Sequence, residues 1–287
     1  MRYERPETLK DASDLLSNEE GLSRILAGGT DVLVQLKSEM VEPDLIVDLK
    51  HIGGMRSISS EAGGYRIGAA VSGAQLGEDD GVRAMWPGVV EGLELIGSTQ
   101  VQGRATMVGN LCNGSPAADS VPGLVAADAT VRIHGVNGVR ECSILDIPVG
   151  PGRTSLAKGD IITSVFLPAR APNASDAYLR FIPRTEMDIA VAAAGVSLEL
   201  DGDGVCTNAR VALGAVAPTV LLVEEAGAAL VGTRLGTDSL DALVKATEAA
   251  CTPITDKRGT VEFRTRTAGV LAKRAAKIAY ARAGGKS

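Results

Sequence analysis

The chain has 287 residues, enough for two or three packed lobes. Hydrophobic residues make up 45% and aromatic residues only 3%, which excludes a disordered tail and leaves a core to be built from Val, Leu, Ile and Ala. The net charge of −6, with no dense Lys/Arg block, argues against nucleic acid, and no apolar run reaches the roughly 18 residues that a membrane span needs.

In chain order, Leu9, Ala12, Leu15 and Leu16 recur at helical spacing, and Ile25-Leu26-Ala27 reads as a short buried strand. A glycine turn follows, then a second helical pattern of Val32, Leu33, Leu36 and Met40, then a strand over Leu45 to Leu49. This predicts a small α+β lobe over residues 1–54, and the chain as a whole shows no internal repeat and no β-α-β alternation of the dinucleotide-binding type. A second lobe, 55–172, has strands predicted at Tyr65 to Val71, Thr130 to His134 and Ile161 to Leu167. Val89, Leu93 and Ile96 share a helix face, and the Gly-, Asn- and Ser-rich remainder predicts long loops. Ala171 to Ser175 reads as a linker into a third lobe, 176–284. There the runs Ile189 to Leu200 and Val205 to Val216 flank Asp201-Gly202-Asp203-Gly204, a hairpin signal. Helices are predicted over about 219–231, 238–251 and 265–283. The last carries an apolar stripe of Ala268, Leu271, Ala275 and Ile278, and the basic residues from Arg264 to Arg282 read as its solvated face.

Cys112, Cys142, Cys206 and Cys251 form no C-x-x-C pair, and His51 and His134 are the only histidines. This argues against an iron–sulfur cluster or structural zinc in this chain. With no signal-peptide-like run at the N-terminus, it also predicts free thiols and a cytoplasmic location. No Ser-His-Asp set and no carboxylate pair stand out, so hydrolysis is unsupported.

Two segments carry candidate chemistry. Leu26-Ala27-Gly28-Gly29-Thr30-Asp31 lies between a strand and a helix. Paired glycines can turn successive N–H groups into one concavity that suits a pyrophosphate, although such a turn also occurs as plain punctuation. The second segment runs from Gly103 to Asp119. Its small residues admit a ligand, Asn110 can donate and accept, and Asp119 can accept from a sugar diol; its bland alternative is a surface Asx-turn loop.

In this order and spacing the segments resemble the FAD-binding medium subunits of molybdenum hydroxylases, the xanthine dehydrogenase and carbon monoxide dehydrogenase family. Its A-G-G-T-D turn corresponds to Ala27 to Asp31, its T-x-G-G-N to Thr106 to Asn110, and its S-P-x-x-D to Ser115 to Asp119. Gly159 to Pro168, Arg180, Arg184, Asp188-Ile189-Ala190, Asp256 to Gly259 and Glu262-Phe263-Arg264 extend the match over nearly the whole chain. One position departs: the first glycine of T-x-G-G-N is Val108. Either the backbone is extended there or the contact falls to Gly109 and Asn110.

The resemblance implies an α+β fold: a two-part FAD-binding domain of the vanillyl-alcohol-oxidase type over 1–172, then a C-terminal domain of the carbon monoxide dehydrogenase flavoprotein type. It implies non-covalent FAD, with Leu26, Ala27, Gly28, Gly29, Thr30, Asp31, Val32 and Leu33 at the pyrophosphate. Thr106, Met107, Val108, Gly109 and Asn110 would join them there. Asp119 would stand on the sugar or ribityl side, Ile162 near the isoalloxazine and Arg180 near the flavin; a core residue and a surface ion pair are the alternatives for the last two. It further implies a molybdopterin-binding large subunit and a small subunit with 2Fe–2S clusters as partners, and an external small-molecule electron acceptor. A stand-alone flavin-dependent oxidoreductase of the same fold is the alternative function.

Overall fold

The structure, a computed structural model, describes residues 1–185 and 187–285. The first lobe is β1 (Arg2–Glu4), α1 (Leu9–Asn18), β2 (Ser23–Leu26), α2 (Val32–Lys37) and β3 (Leu45–Asp48). Both β1 and β2 pair in parallel with β3, giving the order β1-β3-β2. The lobe is therefore a β-α-β-α-β unit: the expected helix, strand, helix and strand are all present, and β1 precedes them unforeseen. The miss lies in β1: Arg2-Tyr3-Glu4 is polar and mostly exposed, so it carries no apolar pattern. The central strand β3 is buried along its whole length, as a parallel strand between two neighbours should be. Thr8 starts α1 by accepting from the Asp11 N–H at 3.1 Å, which turns Ala12 and Leu16 inward.

The second lobe opens with β4 (Ile58–Glu61) and β5 (Gly64–Gly68). Six short helices follow: α3 (Gly73–Gly77), α4 (Asp80–Met85), α5 (Pro87–Glu94), α6 (Thr99–Gln102), α7 (Met107–Cys112) and α8 (Ser120–Ala126). Then come β6 (Thr130–Gly135), β7 (Gly138–Ser143), a short ribbon of β8 (Pro148–Gly150) and β9 (Arg153–Thr154), and β10 (Ile161–Leu167). An antiparallel sheet of order β4-β5-β10-β6-β7 results. Val131 and Ile133 of β6 point inward while their neighbours do not, the alternation of a half-buried strand. One hydrophobic core joins Val47 and Leu49 of the first lobe to Ile67, Leu93, Leu111, Leu124 and Val165 of the second. Much of the segment expected to be loop is thus helical.

The third lobe has β11 (Ala174–Phe181), β12 (Ala192–Leu200), β13 (Cys206–Gly214) and the two-residue β14 (Leu221–Leu222), then α9 (Glu224–Ala228), α10 (Thr237–Ala250) and α11 (Val261–Arg282). The sheet is antiparallel in chain order, and the Asp201-Gly202-Asp203-Gly204 hairpin joins β12 to β13 as expected. The helix expected over 219–231 is shorter, because Leu221 and Leu222 pair with β13 first. Along α11, Ala268, Leu271 and Ala275 are buried with Ala272, Ala276 and Ala279. The solvated-face reading fails for Arg264, which is only 4% exposed. It donates to the Val191 carbonyl at 2.8 Å and to Asp256 Oδ1 at 2.7 Å, pinning the helix start to the end of the sheet.

The expected linker over 171–175 is also shifted, since Ala174 and Ser175 already belong to β11. Within the connection, Arg170 lies 3.7 Å from the ring centroid of Trp86. It donates to Met85 O and Asp176 Oδ1, each at 2.7 Å, and to Ser197 Oγ at 2.8 Å. Asp176 Oδ2 in turn accepts from the Val89 N–H at 3.1 Å. The third lobe is thereby fastened to α5.

Candidate functional site

Two turns meet between the first and second lobes. A Cβ on Gly28 would fall 2.0 Å from the Arg104 carbonyl oxygen, so only glycine lets the strand-to-helix turn lie against the backbone leading into α7. Gly29 has φ +82°, a left-handed conformation that branched residues resist. On the other side, Thr106 Oγ1 accepts from the Gly109 N–H at 2.9 Å and caps α7.

These turns expose donors. Among the described residues, the backbone N–H groups of Gly28, Gly29, Thr30, Asp31 and Val32, and of Met107 and Val108, meet no protein acceptor. Backbone donors in folded proteins are almost always paired, so two adjacent unpaired rows suit an anion. Val108 lies within the right-handed helix α7 with its side chain buried, so the position does not require glycine. Asn110 Oδ1 accepts from the Ser120 N–H at 3.2 Å and hydroxyl at 2.8 Å, which leaves its amide NH2 available for a ligand.

Both turns line a cavity of about 670 Å³, a volume that suits a small organic ligand. Of the positions anticipated from sequence, the wall includes Ala27 to Val32, Thr106, Val108, Gly109, Asn110 and Ile162. Ile162 is 3% exposed and presents an apolar surface beside a bulge in β10. Leu26, Leu33, Met107, Asp119 and Arg180 stand apart from the wall. Leu26 and Met107 are buried in the core, and Leu33 is 49% exposed on the outside of α2.

Asp119 and Arg180 meet each other. Arg180 donates to Asp119 Oδ2, the Tyr178 hydroxyl donates to Oδ1 at 2.7 Å, and both charged side chains are under 10% exposed. Burial pushes the Asp119 carboxyl up, while Arg180 and Tyr178 pull it back. The pair is buried, not the surface pair that was the alternative for Arg180, and it spans the second and third lobes.

The wall holds polar residues that sequence reasoning did not single out. Gln35 Nε2 donates to Asn113 Oδ1, and Asn113 Nδ2 donates to Asp31 Oδ1, each at 3.2 Å. The only available signal was Asn113-Gly114, an ordinary turn pair. Asp160 is held by Arg140, with Nη2 to Oδ2 at 2.6 Å, and its carboxyl lies below the usual range. Burial pushes the Cys112 thiol up to about 12. Next to the cavity, α2 buries no residue, and Leu33, Val34 and Met40 are 49%, 62% and 73% exposed.

Residues 1–170 match the family model described as "FAD binding domain in molybdopterin dehydrogenase". The chain belongs to this family. Residues 177–279 match the carbon monoxide dehydrogenase flavoprotein C-terminal domain. The carbon monoxide dehydrogenase medium chain of Afipia carboxidovorans is 35% identical, over 98% of this chain and 97% of the relative. A putative xanthine dehydrogenase FAD-binding subunit of Escherichia coli is 32% identical over 99% and 97%. A chain in the crystal structure of cyanide-inactivated Cu,Mo-CO dehydrogenase superposes with a TM-score of 0.94 at 35% identity, covering 98% of both chains. The protein is therefore an FAD-binding oxidoreductase subunit of the molybdopterin-dependent class, with the two-domain fold of that family. The unpaired donors and the glycine approach fit FAD's pyrophosphate. Among the described residues, no helix is long and apolar enough to cross a membrane.

Proposed function

We propose that this chain is the electron outlet of a multi-subunit molybdenum hydroxylase, passing electrons from iron–sulfur clusters in a small partner subunit to an external acceptor. A large partner subunit would hold the molybdopterin and the organic substrate. FAD suits the junction because it accepts electrons singly and delivers them in pairs.

The observation that carries this reading is the chemistry of the cavity wall. Among its described residues the titratable groups are Arg24, Asp31, Cys112, Lys158 and Asp160, with no His or Tyr. Asp160 is consumed by Arg140, Asp31 is held by Asn113, and the Cys112 thiol stays protonated. This wall is built to bind and enclose, and it offers no acid–base set for abstracting a substrate proton. That weighs against the alternative, a stand-alone flavin oxidoreductase.

In this proposal the N–H rows of Gly28 to Val32 and of Met107 and Val108 hold the pyrophosphate, and Asn110 donates its amide. Ile162 packs against one of the ring systems. Asp119 and Arg180 stand off the wall and pair with each other, so they support the site by joining the two domains behind it. The exposed Leu33, Val34 and Met40 beside the cavity form the rim that a partner subunit covers. Four free thiols support a cytoplasmic, reducing setting.

The test is anaerobic reduction. The isolated, FAD-loaded chain is mixed with candidate heterocycles and aldehydes, and flavin absorbance is followed. The expected result is no bleaching until the molybdenum and iron–sulfur subunits are added. Rapid stoichiometric bleaching of the chain alone would overturn the relay in favour of a self-contained oxidase.

A further inference from the structure

A line of hydrogen bonds crosses from α2 to the end of α7. Gln35 Nε2 donates to Asn113 Oδ1 and Asn113 Nδ2 donates to Asp31 Oδ1, and all three residues line the cavity. Gln35 decides which end of the Asn113 amide faces Asp31. With the amide oxygen occupied, the NH2 group is left to face the carboxylate.

Asp31 sits in an electrostatically unfavourable place. Its carboxylate stands beside a row of unpaired N–H groups that suits an anion, and like charges repel. Aspartate at such a position commonly turns its oxygens onto nearby backbone donors. Here it makes no capping bond, and its backbone is already helical, with φ −94° and ψ −52°. The carboxylate is drawn to Asn113 instead.

We infer that Asn113, oriented by Gln35, is a positioning residue for the pyrophosphate of FAD: it holds the Asp31 carboxylate off the Gly28–Val32 donor row. Without that hold, the carboxylate swings to the nearest donors, which are the ones the pyrophosphate needs. Asn113 acts through Asp31 and requires no contact with FAD. The inference rests on the FAD reading of the cavity.

The experiment is a double-mutant cycle on the flavin-free full-length chain, read by titration with FAD and with ADP, which carries the pyrophosphate without the flavin. Asn113→Ala should weaken both ligands about tenfold. Asn113→Ala combined with Asp31→Ala should bind as Asp31→Ala alone does, because the carboxylate that Asn113 restrains is gone. Thermal unfolding of the flavin-free chain checks that each variant folds. If Asn113→Ala fails that check, Gln35→Ala reads the same coupling one bond further out, with a smaller loss that Asp31→Ala again cancels. Unchanged affinity in Asn113→Ala overturns the inference. A double variant as weak as Asn113→Ala also overturns it, since Asn113 would then act by direct contact or through the fold. If wild-type chain binds neither ligand, the cofactor reading itself fails, an outcome distinct from both.

Discussion

The Tyr178 hydroxyl on β11 donates at 2.7 Å to Asp119, the residue that leads into α8, so one buried hydrogen bond joins the two domains. Arg180, two residues along the same strand, holds the other carboxylate oxygen. Removing the carboxylate alone strands a buried guanidinium. Asp119→Ala should therefore cost about 3–5 kcal/mol, and Tyr178→Phe about 1–2 kcal/mol, in chemical denaturation. If Asp119→Ala is no less stable than Tyr178→Phe, the pair is not a stabilising contact.

Gly29→Val places a branched side chain at φ +82°, within 3.0 Å of Leu26 Cδ1. The strained backbone should cost about 1–2 kcal/mol, small enough to leave the fold intact, while the displaced donor row loses FAD. Flavin content of the purified variant, set beside its circular dichroism, is the check. A full complement of flavin in a folded variant refutes the cradle.

Cys112 should be unreactive. Its thiol is pushed up to about 12 by burial, so almost no thiolate exists at pH 8. Mass spectrometry after iodoacetamide treatment of the native chain should find Cys112 unmodified, and should find it modified only after unfolding. Fast labelling at pH 8 in the native state would contradict the burial.

The flavin should leave as free FAD on acid or heat denaturation. Both histidines, His51 and His134, stand off the cavity wall, and the one cysteine on it, Cys112, is a half-buried thiol pushed up to about 12. Yellow colour that stays with the polypeptide on a denaturing gel is the contrary result.

Asp160 gives a pH dependence of definite sign. Its hydrogen bonds from Arg140, and one from the Ala157 N–H at 2.8 Å, lower the folded-state pKa. The stabilisation is therefore fully present above the unfolded carboxylate value, about pH 4, and is lost as pH falls through the lower folded value. Asp160→Asn should be less stable than wild type at pH 7, and the gap should narrow as the pH approaches 2. A gap constant with pH would assign the loss to packing.

What the sequence made legible follows from how far each signal reaches along the chain. The turn at Gly28-Gly29, the β12–β13 hairpin and the long C-terminal helix are local patterns, set by residues close in sequence, and the structure has all three. The partners of Asp119 were not legible, because Tyr178 lies 59 residues away. The Gln35–Asn113 bond spans 78 residues, and nothing at either end marks it. The short helices α7 and α8 hid in a Gly- and Asn-rich stretch that composition assigns to loop. Thr106 caps α7 by accepting from the Gly109 N–H, but a lone threonine is too weak a signal to announce a helix there. β1 escaped because its pairing with β3 depends on register and not on apolar pattern.

The connection between the domains has a consequence for any attempt to divide the protein. Its Arg170 stacks on Trp86 from one side of the boundary and bonds Asp176 and Ser197 from the other, with the guanidinium side chain only 5% exposed. A cut there would leave each fragment with half of a desolvated charge cluster and a raw apolar face. Limited proteolysis should therefore spare this stretch, and neither half should survive as a separately expressed piece. Engineers who wish to graft the flavin unit onto another electron donor should move both domains together and place the new junction at a chain end.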